Sequence, residues 1–143
     1  MTIERTIIAT EEAPGAVGPY SQGIAADGFV FTAGQVPINP ASGKIEAETI
    51  EDQTRQVLTN VDAVLRAAGS SLDRVVKMTV FMTDLADFQA MNGVYAEFFA
   101  ENPPARSAVE VAALPLGGRV EIEAIAEACD CEGGKAECSC GHD

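Results

Sequence analysis

Arg106 and Glu121 are the two side chains of this sequence with the clearest capacity for chemistry. Arg106 follows Pro103-Pro104 at the start of a strand-like run, and Glu121 stands early in the next such run. A guanidinium grips a carboxylate through its planar fork, while a nearby glutamate can hold a water or move a proton. If the two runs pair as antiparallel neighbours, both side chains reach the same end of one sheet face. Two readings then stand side by side: an anion-binding site with a built-in acid/base group, or a structural Arg–Glu ion pair. Three further places offer polar groups or close backbone approach. Tyr20 closes the rigid Gly18-Pro19-Tyr20 turn, either as a phenol over a ligand or as a packing lid. In Thr32-Ala33-Gly34-Gln35, Gly34 either lets the backbone approach a ligand or marks a bulge. Asn92, four residues after Phe88, is a ligand-facing amide or a satisfied one at the edge of a core.

The rest of the composition limits what these residues can do. A chain of 143 residues makes one compact domain. Its one histidine is His142, and its four cysteines all lie beyond Ala128. Residues 1–128 therefore contain no Ser-His-Asp triad, Cys–His pair, histidine-ligated metal or thiol nucleophile. Nine Lys and Arg against 22 Asp and Glu give a net charge of −13, which repels a phosphate backbone or an anionic membrane. Neither a nucleic-acid nor a membrane partner is expected. Ile7-Ile8-Ala9 is too short for a signal-peptide core and is followed by Glu11-Glu12, so the expected location is cytoplasmic. Gly15-Ala16-Val17-Gly18 lacks the Lys-Ser/Thr and helix start of a phosphate loop and is expected to be a turn.

The elements that must position these groups follow from pattern. Asp27-Gly28 supplies the positive φ angles of a two-residue turn between strands at Ser21 to Ala26 and Phe29 to Ala33. Val36 to Lys44, with two prolines, Asn39, Ser42 and Gly43, is a loop. Thr49 caps a helix, with Asp52 three positions on, and Gly69 stops it. Ile50, Thr54, Val57, Leu58, Val61, Val64, Leu65 and Ala68 form its apolar stripe, and Glu51, Gln53, Arg55, Asn60, Asp62 and Arg66 its wet side. Val75 to Met82 is a strand, Asp84 to Ala100 a second helix, and Ala105 to Val111 and Val120 to Ala128 are two more strands. Parity puts Val76, Met78, Val80 and Met82 on one face of the first of these strands. In the last strand, Val120, Ile122, Ala124 and Ala126 oppose Glu121, Glu123, Ile125 and Glu127. Two helices cover one face of such a sheet. The second face mixes apolar residues with carboxylates, which predicts a homo-oligomer with polar sites at its contacts.

Together these segments resemble the RidA family, also called YjgF, the enamine/imine deaminases. The resemblance spans about residues 4 to 128. It rests on Ala13 to Tyr20, Thr32-Ala33-Gly34-Gln35, Asn60 to Gly69, Val76 to Phe81, Pro104-Ala105-Arg106-Ser107-Ala108-Val109-Glu110 and Val120-Glu121-Ile122-Glu123-Ala124-Ile125-Ala126. The resemblance implies an α+β, chorismate-mutase-like fold with two helices on one face of a mixed sheet. It also implies a homotrimer with clefts at its subunit interfaces. The implied activity is hydrolysis of 2-aminoacrylate or 2-iminopropanoate-type intermediates, released by pyridoxal-phosphate enzymes, to 2-keto acids and ammonia. Arg106 would bind the substrate carboxylate and Glu121 would serve the attacking water. Tyr20, Ala33, Gly34 and Asn92 would line the site, and no cofactor is implied. An idle ligand- or protein-binding trimer on the same fold is the alternative. Ala33 stands where many members have Ser, and Ala108 where many have Cys.

Residues 129–143 form a separate acidic, cysteine-rich tail. Cys129, Cys131, Cys138, Cys140 and His142 offer soft ligands for zinc or copper(I), in pairs spaced Cys-x-Cys. A tail of reduced thiols is the other reading.

Overall fold

The computed structural model describes residues 4–128. The cysteine-rich segment, read from sequence either as metal ligands or as reduced thiols, lies outside the described residues.

Six strands form one mixed sheet in the order β1-β2-β3-β6-β4-β5. They are β1 (Arg5–Ile8), β2 (Gly23–Ala26), β3 (Phe29–Thr32), β4 (Val75–Met82), β5 (Ala105–Glu110) and β6 (Val120–Glu127); the helices are α1 (Ile50–Ala67) and α2 (Phe88–Phe98). The β2–β3 hairpin turns on Asp27 at φ 52° and Gly28 at φ 83°, as the Asp-Gly pair requires. β1 is an edge strand antiparallel to β2, additional to the strands expected from the sequence: with only four residues, it is too short to show a period.

Helix α1 begins and ends on the groups expected. The Thr49 hydroxyl accepts from the Asp52 N–H at 3.1 Å. At the other end Gly69 takes φ 79°, its N–H bonding Arg66 O and the Ser70 N–H bonding Leu65 O, so the last carbonyls are satisfied in a Schellman arrangement. Val57, Leu58, Val61 and Leu65 from α1, Met91 and Tyr95 from α2, and Met78, Val80, Met82, Val120, Ile122 and Ala124 from the sheet form the core. Each large apolar side chain removed from water there contributes about 1.5–3 kcal/mol.

Two expectations are corrected. First, β5 and β6 are not neighbours: β4 lies between them, parallel to β5 and antiparallel to β6. The helix between β4 and β5 returns the chain in the same direction, so β5 joins in parallel and β6 then takes the other edge of β4. Second, a bulge between Val75 and Lys77 breaks the strict alternation at the start of β4. Val75 is buried and Val76 exposed, the reverse of the parity expectation, because one extra residue turns the strand over. Beyond the bulge the predicted faces hold. The helix-free face carries Ile7, Ile24, Phe31, Ile125 and Lys77 in one row across the strands, with Ile7 and Phe31 among its exposed apolar groups.

Candidate active site

Sheet topology separates Arg106 from Glu121. Arg106 is in register with the core residue Met78, and its side chain enters the helix-covered side beneath α2. Glu121 is in register with Phe81 and alternates with buried Val120 and Ile122, so it lies on the helix-free side. Three residues along β4 and two strand spacings across the sheet separate their backbones, roughly 14 Å. Neither the same-face expectation nor the ion-pair reading holds within one chain.

Arg106 is held by one face of α2. Phe88, Asn92 and Tyr95 recur at helical spacing, and the guanidinium sits 5.4 Å from the Phe88 ring centroid and 4.7 Å from that of Tyr95. Its Nη1 donates to Asn92 Oδ1 at 2.7 Å. Both aromatic contacts attract the cation without neutralising it. Among the described residues no carboxylate pairs with Arg106, so most of its five N–H donors are available to an anion. Beneath it, the Tyr95 hydroxyl is buried with no hydrogen-bond partner. Burial pushes that phenol above its ordinary pKa, and Arg106 partly offsets the shift.

Glu121 belongs to a second constellation. The β3–β6 ladder runs to Phe31↔Ile125 and resumes at Gln35↔Ile122, leaving one extra residue on the first strand. Thr32 Oγ1 takes the Ala124 N–H at 3.0 Å inside this irregular stretch. The chain at Ala33-Gly34 thereby bows over the start of β6 and encloses a cavity of about 510 Å³, lined by Tyr20, Ala33, Gly34, Gln35, Leu116 and Glu121 among others. The absence of a side chain at Gly34 sets the position of Glu121: a Cβ there would collide with Glu121 Oε2 and lie 2.9 Å from its Cδ. Glu121 is the single charged group among the described lining residues. Burial in this mostly apolar hollow raises its pKa, and the neighbouring Glu123 carboxylate raises it further. Tyr20 stands at the mouth, 49% exposed, its hydroxyl accepting from the Val17 N–H at 3.3 Å.

Of the six residues expected at the site, Tyr20, Ala33, Gly34 and Glu121 are thus brought together, and Asn92 with Arg106 form a separate pair. Three residues that position the cavity were not expected. Asn60 and Gln53, placed on the wet side of α1 by pattern, are buried. The Asn60 amide donates to Val36 O and Ile38 O at 3.1 and 2.9 Å, fixing the loop that lines the cavity. Gln53 accepts from the Arg119 N–H at 2.9 Å and so sets the entry to β6. Gln22 clamps the segment leading to Tyr20 by accepting from the Thr10 N–H and donating to Thr10 O and Pro14 O. Their seven-residue spacing put Asn60 and Gln53 on one helical stripe, the only signal available beforehand. Among the described residues no group of three or more His, Cys, Asp and Glu side chains is arranged to hold a metal ion, and no helix is long and apolar enough to cross a membrane.

The sequence model of the family described as endoribonuclease L-PSP, the YjgF/RidA family, matches residues 10–128. The chain belongs to this family. It is 56% identical to a RutC family protein of Pyrococcus horikoshii over 122 residues, covering 85% of this chain and 97% of that one. It is 43% identical to the human 2-iminobutanoate/2-iminopropanoate deaminase over 122 residues, covering 85% and 89% of the two chains. The fold matches that of Escherichia coli TdcF, solved with bound serine, with a TM-score of 0.82 and 50% identity over 85% of this chain and 98% of that one. The family thus contains proteins named imine deaminases and others with general or regulatory names, including a putative regulator of Lactococcus lactis at 48% identity.

Proposed function

We propose that the protein hydrolyses reactive 2-imino acids to 2-keto acids and ammonia, as a homotrimer whose interface clefts join Arg106 of one subunit to Glu121 of the next. The observation that carries this reading is the division of the site. An unneutralised Arg106 beside Asn92 and a desolvated Glu121 beside Tyr20 and Gly34 are complementary halves, held apart in one chain. The exposed apolar face of the sheet supplies the surface over which copies would meet. A second subunit then adds the anion grip that the cavity lacks.

The chemistry needs a bound anion and a directed water. Arg106 and Asn92 orient the substrate carboxylate, leaving C2 of the imine toward Glu121. Ionised Glu121 accepts one proton of the water as its oxygen bonds to C2, and the C=N electron pair takes up a proton from bulk water to become an N–H bond, leaving a carbinolamine. Glu121 then returns its proton to nitrogen and the C–N bond breaks as the carbinol oxygen releases its own proton to bulk water and becomes C=O, giving R–CO–COO⁻ and ammonia from R–C(=NH)–COO⁻ and water. Enamines enter by tautomerising to the imine. The raised pKa of Glu121 suits a group that must both take and return a proton. The family description also names a ribonuclease, but a chain of net charge −13 with its only histidine at position 142 gives that reading little support.

The test couples the protein to a serine or threonine dehydratase and follows keto-acid release. Acceleration by the wild type, lost in Arg106→Ala with the oligomer intact, is the expected result. An Arg106→Ala variant that keeps its activity would overturn the proposal, and a wild type without effect would favour a binding role.

A further inference from the structure

Leu116 is an outlier in the loop between β5 and β6. It lies inside a short 3-10 turn, Pro115–Gly117, at φ 57° and ψ 21°, a left-handed conformation that costs a leucine roughly 1–2 kcal/mol. It is also 67% exposed, so core burial does not offset the strain. The loop is fixed immediately after it. Gly118 packs so closely that a Cβ there would lie 3.1 Å from the Pro37 ring, and Arg119 is bonded through its N–H to Gln53 and through Nη2 to Asp87 at 2.8 Å. A fixed loop therefore displays an apolar side chain at a backbone position suited to glycine or asparagine.

The direction of that display gives it meaning. Leu116 lines the cavity that holds Glu121, and so does Val17, which is 82% exposed. These are the two most exposed large apolar residues among those described, and they come from distant parts of the chain to frame one opening. Ile38, Val36 and Pro115 continue the same wall. At about 510 Å³ the cavity exceeds what a three-carbon imino acid fills. We infer that Leu116, with Val17, is the specificity-determining contact for the substrate side chain, and that the site favours 2-imino acids bearing apolar side chains longer than methyl. Acidic side chains are disfavoured, because the one charged lining group is itself a carboxylate. This inference rests on the deaminase reading above.

The experiment generates imino acids in situ with an L-amino-acid oxidase acting on leucine, alanine or glutamate, and measures keto-acid release for the wild type, Leu116→Gly and Leu116→Asn. Both substitutions tolerate a positive φ, so the melting temperature should not fall. The wild type is expected to favour the leucine-derived over the alanine-derived imine in kcat/KM. That ratio should fall about tenfold in either variant, the scale of one lost aliphatic contact. The wild type should be slowest on the glutamate-derived imine. A ratio unchanged in both variants of an active enzyme overturns the inference and leaves the deaminase reading standing. Dissociation of the oligomer by both substitutions also overturns it, because Leu116 would then belong to the subunit contact. A wild type inactive on every imine refutes the deaminase reading itself.

Discussion

Replacing Gly34 by Ala separates the fold from the chemistry more cleanly than any other single change. Gly34 does not occupy a positive-φ conformation, so alanine fits its backbone and restricts the unfolded chain, a gain of about 0.4–1 kcal/mol. The added methyl collides with Glu121 Oε2 and sits 2.9 Å from Cδ and 3.2 Å from Cγ. To restore van der Waals separation, the carboxylate must move by at least about 1 Å. It is the end of a flexible side chain, and the cost of an off-rotamer position is about 0.5–1.5 kcal/mol. The two stability effects nearly cancel, so the melting temperature should stay within a few degrees of wild type. Activity should not survive so well: a misplacement of that size costs on the order of 100-fold in rate. Coupled dehydratase assays and thermal melts on the same preparations measure both. A double-mutant cycle identifies the route, because Gly34→Ala should add almost nothing in a Glu121→Gln background. Near-wild-type turnover in Gly34→Ala, or equal losses in both backgrounds, would refute the role given to Glu121.

Three more outcomes are expected. Because the proposed mechanism uses ionised Glu121, and burial and Glu123 raise its pKa, the acid limb of kcat/KM should lie above the ordinary carboxylate range; Glu123→Gln should move that limb to lower pH. Asn60→Ala leaves the carbonyls of Val36 and Ile38 without their buried donor, so it should destabilise by about 2 kcal/mol or more, visible as a lower denaturant midpoint. On the metal-ligand reading of Cys129, Cys131, Cys138 and Cys140, the full chain purified without a histidine tag should carry close to one zinc or copper ion that a chain ending at Ala128 lacks. Substoichiometric amounts of both metals would remove that expectation.

The hairpin at Asp27-Gly28, both ends of α1 and the one-sided helix layer were legible in the sequence because each rests on local chemistry: a turn pair, a cap or a 3.6-residue stripe. Strand order was not, because it depends on where α2 delivers β5, and no local pattern records that. The same gap misplaced Arg106 relative to Glu121. Val76 changed faces because a single bulged residue inverts parity. Gln53 and Asn60 were assigned to water because an amide that satisfies buried carbonyls has the same side chain as one that faces solvent. The loop partners that distinguish the two cases lie 22 or more residues away.

The shared cleft can be tested by complementation. Arg106→Ala and Glu121→Gln chains, each inactive alone, are mixed in equal amounts, unfolded and refolded together, and assayed for keto-acid release. A cleft joining Arg106 of one subunit to Glu121 of the next is intact wherever a Glu121→Gln chain supplies the arginine and its neighbour supplies the glutamate. Random assembly makes that about one cleft in four. Recovery of roughly a quarter of wild-type activity is the predicted result; a mixture as inactive as its parts would contradict a site built between subunits.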